Sequence, residues 1–340
     1  MVFINANYLR RKNMSLRQKI GRMFMVGFDG TSPSEELIRL ITKYNVAGVI
    51  LFKRNIKSCD QLKKLTSEIQ NIAGRKVLVA VDHEGGRVFR MPEPFTQWEP
   101  MAKIGEKMKS AGDENLPYRI GKKMAEELKD AGIDINFAPV LDVNTNIKNP
   151  VIGDRAFSED AFFVAKAGVQ LLRGLQDHGI VACGKHFPGH GDTFMDSHLD
   201  LPTLPHTIGR LESLELIPFA AAIEAGVKSI MTAHVIYEGI DEELPATLSM
   251  SIIKGLLINR LGFKGTVFTD DLMMKAITKK WTLAKAALMA LKAGCHCLLI
   301  CSNSLTQIET IEYLEKAALD GSLPESIIET AGRKIEGLAT

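Results

Sequence analysis

Fourteen consecutive residues, Lys185–His198 (KHFPGHGDTFMDSH), hold three histidines, two aspartates and a lysine separated by small and turn-forming residues. They follow a short apolar run, Ile180–Gly184, that reads as a buried strand. Proton-handling groups massed just past such a strand fit an active-site loop better than a core. Asp196 beside His198 suggests a carboxylate that accepts from one imidazole nitrogen and leaves the other to give and take a proton near neutrality. Two other readings stay open. The histidines can pin their own backbone, or His186, His190, Asp192, Asp196 and His198 can offer nitrogen and oxygen ligands to a metal, although the spacing matches no standard zinc pattern.

Three further segments carry reactive groups. Val267–Leu272 is an apolar strand ending in Asp270-Asp271, where one carboxylate can reach a reacting carbon as a nucleophile while the other caps or braces the loop. Asp82–Arg90 (DHEGGRVFR) joins a strand-end carboxylate to two arginines, of which one can reach a ligand and the other form a structural ion pair. Its paired glycines suit a tight turn, and the pattern is not the dinucleotide fingerprint GxGxxG. Ile152–Phe157 carries Asp154-Arg155, which taken alone reads as a local salt bridge.

One unit positions all of these. An amphipathic helix ends near a glycine (Gly132, Gly179, Gly226, Gly294), an apolar strand follows, and the strand ends on polar residues. With the runs Phe24–Phe28, Val46–Phe52 and Val77–Val81, about eight strands result. Ser158-Glu159-Asp160 opens a helix over Ala161–Gln176, Leu283–Leu291 is another, and Ser304–Thr340 supplies two more. Alternating strands and helices predict an α/β fold with a parallel sheet, and eight units predict a closed (β/α)₈ TIM-type barrel in a single domain. The strand ends at Lys53-Arg54, Asp82-His83-Glu84, Asp142, Lys185-His186, His234 and Asp270-Asp271 would then share the C-terminal rim.

Composition narrows the function classes. A formal charge of +2 over 340 residues, without a long basic run, argues against nucleic acid as a partner. No apolar stretch reaches the length of a membrane span. The five cysteines (59, 183, 295, 297 and 301) form neither a zinc ribbon nor a disulfide framework and are expected to be reduced. Residues 1–13 lack an apolar leader core and a cleavage site, so they are expected to be a loose extension before a domain at 14–340, or to precede a true start at Met14. The expected location is the cytoplasm.

KHFPGHGDT followed by DSH, with VDHEGGRV upstream, IGDRAFS between and FTDDLMM downstream, resembles family 3 of the glycoside hydrolases. The match runs in family order over most of residues 20–300 and is similar to the single-domain bacterial β-N-acetylglucosaminidases of peptidoglycan recycling. The resemblance implies a (β/α)₈ barrel, as the strand count does independently. It also implies that Asp270 is the catalytic nucleophile, His198 the general acid/base and Asp196 its partner. Asp82, Arg90, Arg155, Lys185 and His186 would hold a terminal N-acetylglucosamine. The expected enzyme is a monomeric retaining exo-glycosidase that acts on muropeptide glycans without metal or cofactor. A metal-dependent hydrolase on the same rim, or phosphorolytic release of the sugar, are the alternatives. The departures from the family pattern are the N-terminal extension and Met273-Met274.

Overall fold

The computed structural model describes residues 14–195, 197 and 200–339. The strands are β1 (Phe24–Val26), β2 (Gly48–Leu51), β3 (Leu78–Val81), β4 (Ile135–Asn136), β5 (Val181–Phe187), β6 (Thr203–Thr207), β7 (Ser229–Thr232), β8 (Ile236–Gly239), β9 (Thr266–Phe268) and β10 (Leu298–Ile300). Eight form one parallel sheet in the order β10-β1-β2-β3-β4-β5-β7-β9, and β6 and β8 pair outside it. A parallel bridge between Phe268 and Cys297 joins β9 to the strand at the other end, and the Thr269 N–H donates to the Cys297 carbonyl at 3.0 Å. The sheet thereby closes into the expected barrel.

Barrel strands are buried on both faces, which is why they read as continuous apolar runs. Successive side chains still alternate between two cores. Met25, Ile50, Leu78, Ala80, Phe137, Cys183, Met231, Phe268 and Leu299 fill the barrel interior. Their neighbours Phe24, Val26, Val49, Leu51, Val79 and Val81 pack outward on the helices. Ile335 and Leu338, at the end of helix Glu325–Glu336, join the interior cluster. The Thr266 hydroxyl on β9 donates to the Lys334 carbonyl at 2.9 Å, which holds this helix end to the barrel.

β4 is shorter than its apolar run suggests, because Pro139 follows with no N–H for a ladder. The Asn136 side chain compensates. Its carbonyl accepts from the His83 N–H at 3.0 Å, and its amide donates to the His83 carbonyl at 2.9 Å. The ladder thus continues past β3 and fixes the backbone between Asp82 and Glu84.

Helix Ala161–Gln176 has the expected bounds, but its N-cap is Asp160, which accepts from the Phe162 and Phe163 N–H groups at 2.9 and 3.1 Å. Ser158 lies two residues earlier and accepts instead from the Asp160 N–H and the Lys109 ammonium. Helix Leu283–Ala293 runs two residues past its expected end, and the C-terminal pair is Ser304–Leu319 and Glu325–Glu336. Gly132, Gly179, Gly226 and Gly294 all have positive φ, as the helix-end pattern requires. The first described helix, Leu16–Gly21, starts from a capping box of Ser15 and Gln18. The expected loose extension, 1–13, lies outside the described residues. All five cysteines are free thiols, and no helix among the described residues is long and apolar enough to cross a membrane.

Candidate active site

The C-terminal strand ends surround one pocket of about 350 Å³. Its lining includes Arg54 from the end of β2, Asp82 and Glu84 from β3, Lys185 and His186 from β5, and Asp270 and Asp271 from β9. Ile50, Met231 and Leu299 belong both to the lining and to the interior core, so the pocket ends blind on the barrel filling.

Four buried or half-buried charges form one wall. The Lys185 ammonium, 2% exposed, pairs with Asp82 at 2.7 Å and with Glu84 at 2.6 Å. Arg155 donates two parallel bonds to Glu84, both of 2.8 Å, and a third to the Val151 carbonyl. Burial alone would push Glu84 up, but Arg155 and Lys185 overcome it and hold the carboxyl well below the ordinary carboxylate range. Burial would lower Lys185, and Asp82 with Glu84 reverses this and raises it. Two cations against two carboxylates leave the wall balanced.

A second carboxylate organises the loop after β5. The buried Asp142 accepts from His186 Nδ1 at 2.7 Å, from the His186 N–H at 3.2 Å and from the His190 N–H at 2.6 Å. Burial opposes its charge, but His186 and His190 outweigh it and the carboxyl sits below its usual range. With Asp142 on Nδ1 and an Arg155 donor 3.5 Å from Nε2, the geometry assigns the His186 proton to Nδ1. Gly191 packs where any β-carbon would collide with the Val143 carbonyl. Asn149 donates to the His190 carbonyl and Asn146 to the Thr193 carbonyl. The loop base is therefore tied down on several sides.

Asp270 lines the pocket, and its Oδ1 accepts from the Asp271 N–H at 2.8 Å. Burial works against its ionisation, yet His234, His186, the Asp271 N–H and Lys185 together hold it below the normal carboxylate range. Asp271 behaves oppositely. Burial raises its carboxyl to about 6, although it accepts from the Met273 and Cys301 N–H groups at 3.1 Å each. One aspartate is thus a charged group facing the pocket, and its neighbour braces the loop.

Arg87 and Arg90 have different surroundings. Arg87 pairs with Asp154 at 3.1 Å and donates to the carbonyls of Pro150, Val151 and Ile152. Arg90 lines the pocket over the Phe52 ring, with no hydrogen bond or ion pair among the described residues and its Nε buried without a partner. The local Asp154–Arg155 salt bridge does not form, because Asp154 takes Arg87 while Arg155 turns inward to Glu84.

Of the residues expected at the site, Asp82, Arg90, Arg155, Lys185, His186 and Asp270 all line this pocket. Asp196 and His198 lie outside the described residues. Ser197, between them, lines the pocket and stands 3.1 Å from His190 Nε2. Glu84 and Asp142 were legible as strand-end acids but not as the residues that hold Arg155, Lys185 and His186. That role depends on partners far away in sequence. Among the described residues no group of three His, Cys, Asp or Glu side chains is placed to hold a metal ion.

Residues 15–338 match the family described as the glycosyl hydrolase family 3 N terminal domain. The β-hexosaminidase of Thioalkalivibrio sulfidiphilus is 40% identical over 315 residues, which cover 91% of this chain and 89% of that protein. The structure of a family 3 β-N-acetylglucosaminidase from a Paenibacillus species is 41% identical with a TM-score of 0.92, covering 96% of this chain and 62% of that longer one. NagZ from Neisseria gonorrhoeae, solved with N-trifluoroacetyl-D-glucosamine, is 32% identical with a TM-score of 0.78 and covers 94% of this chain and 98% of its own. A closed barrel, a blind polar pocket on its rim and full-length relatives of one kind lead to one conclusion: the chain belongs to glycosyl hydrolase family 3 and is a glycoside hydrolase.

Proposed function

We propose that the protein is a retaining exo-β-N-acetylglucosaminidase that removes terminal N-acetylglucosamine from peptidoglycan fragments. The observation that carries this reading is the half-buried Asp270 carboxylate, held in its charged form in a blind pocket whose other polar groups are already oriented. A pocket closed by the barrel core accepts a chain end and not the middle of a polymer. The wall residues Asp82, Lys185 and His186 suit sugar hydroxyls, and Arg90, which makes no hydrogen bond or ion pair among the described residues, has donors to offer a ligand. Hexosaminidase relatives and the neighbour solved with an acylated glucosamine support the choice of sugar.

In this mechanism Asp270 attacks the anomeric carbon as the glycosidic bond breaks, and His198 gives its proton to the leaving oxygen. The sugar is then an ester of Asp270. Neutral His198, oriented by Asp196, takes a proton from water, whose oxygen displaces the carboxylate with overall retention. The aglycone is proposed to be 1,6-anhydro-N-acetylmuramic acid, with or without peptide, and the enzyme to act as a monomer in the cytoplasm. Five free thiols fit such a reducing compartment.

The test is release of 4-nitrophenol from its N-acetyl-β-glucosaminide, beside the β-glucoside, with chelator present. Strong preference for the acetamido sugar is expected, and turnover of the glucoside alone would overturn the substrate. Asp270→Ala should lower kcat by about four orders of magnitude or more. His198→Ala should slow substrates with poor leaving groups most. Loss of activity with chelator would favour the metal-dependent alternative. Formation of a sugar 1-phosphate in phosphate buffer would show phosphate replacing water.

A further inference from the structure

His234 follows the end of β7 and is fully buried. It belongs to no part of the mechanism above, yet it contacts the segment that carries Asp270. Its Nε2 lies 3.0 Å from the Asp271 carbonyl oxygen. A carbonyl only accepts, so Nε2 carries a proton. The same Asp271 directs its own N–H to Asp270 Oδ1 at 2.8 Å. Asp271 is therefore gripped by its carbonyl and gives its N–H to the nucleophile. One oxygen of Asp270 is occupied, and the other accepts no hydrogen bond among the described residues.

The far side of the ring is also built. His234 Nδ1 is 2.8 Å from the Thr247 hydroxyl, which lies 2.8 Å from the Thr232 hydroxyl and 3.0 Å from the Ala233 carbonyl. Thr247 has one proton and two ways to use it. It can donate to Nδ1, which leaves the imidazole neutral. Alternatively it donates to the Ala233 carbonyl and accepts from a protonated Nδ1. Both states are satisfied without moving a heavy atom, so the hydrogen bonding around the ring admits a second proton.

We infer that His234 is a positioning residue for the nucleophile: through Asp271 it aims the Asp270 carboxylate, and through Thr247 it can hold a proton that favours the charged form of Asp270. The inference rests on the reading of Asp270 as the nucleophile. The direction of the Asp270 shift agrees with it, since His234 is the strongest of the groups that favour the carboxylate. Among the described residues, the other ionisable groups that act with or face Asp270 are His186, Lys185, Asp271 and the Cys183 and Cys301 thiols. All of these stay in place in the variants below.

The experiment compares wild type, His234→Ala and His234→Gln in the full chain. It measures the rate of covalent trapping by an activated fluorinated N-acetylglucosaminide, inhibition by free N-acetylglucosamine, and the acid limb of kcat/KM. Alanine should slow trapping about thirtyfold or more, because small misplacements of a reacting group are costly. Inhibition by the free sugar should change less than about threefold, since the wall that holds it is untouched. Glutamine restores an N–H donor but no charge. It should recover most of the trapping rate, while the acid limb moves to higher pH in both variants. Wild-type trapping in the alanine variant would overturn the inference. So would a glutamine variant no faster than alanine with an unmoved acid limb. If the variants do not fold, Thr247→Val reads the same relay from its far side, and there an unmoved acid limb overturns the inference. A wild-type enzyme that acquires no label on Asp270 would instead defeat the nucleophile assignment itself.

Discussion

Single side chains in this protein act through groups they do not share a strand with. Asp142 touches no bulk solvent, yet three donors converge on it from His186 and His190. An amide has one acceptor oxygen and would turn its NH₂ toward one of those donors. Asp142→Asn should therefore leave a buried donor unsatisfied, at about 1–3 kcal/mol, and free the His186 ring to turn. The expected result is a fall in kcat/KM of about tenfold to a hundredfold, a size typical when a histidine loses its orienting carboxylate. Unchanged kinetics in a folded variant would mean that His186 does not need its assigned tautomer.

Elements contribute by where they end. β4 contributes only two paired residues, yet the Asn136 amide carries the ladder on to His83, so Asp82 and Glu84 leave β3 on a fixed backbone. Helix Glu325–Glu336 works at the opposite end of the barrel, where Ile335 packs into the interior at 1% exposure. Ile335→Ala should cost about 2–5 kcal/mol, the usual range for removing a large buried aliphatic side chain. Because it lies away from the pocket, kcat/KM below the unfolding transition should not change. Urea denaturation beside a steady-state assay checks both halves. A loss of activity without a loss of stability would show that the C-terminal helix reaches the site.

The molecule as a whole should be sensitive to mild acid. Burial holds His83 at about 3, with Arg90 adding to the effect, and His190 and His296 at about 4. Below the ordinary histidine value near 6.5 the unfolded chain takes up protons that these three refuse, so stability falls as the pH drops from about 6.5 toward 4. Asp271, raised to about 6, has the opposite sign and gains stability in part of that window. Three groups outweigh one, and the melting temperature should decline across it. His296 accepts the Val267 N–H on Nδ1 at 3.0 Å, and protonation there would break the bond. His296→Gln keeps an acceptor and removes the titration, so it should flatten the decline, as thermal melts between pH 4 and 7 would read. By itself the sequence determined the eight strands, the helix-end glycines and the convergence of reactive residues on one rim, because periodicity and strand-end chemistry are local properties of the chain. It also separated two arginines into a ligand-facing one and a structural one, and the family resemblance put Arg90 on the ligand side. Only the tertiary structure decided that Arg87 pairs with Asp154, that Arg155 leaves Asp154 for Glu84, and that Glu84, Asp142 and His234 orient groups on other strands. Those pairings join residues 37 to 101 positions apart, and no local pattern encodes which charge a barrel will bring beside which.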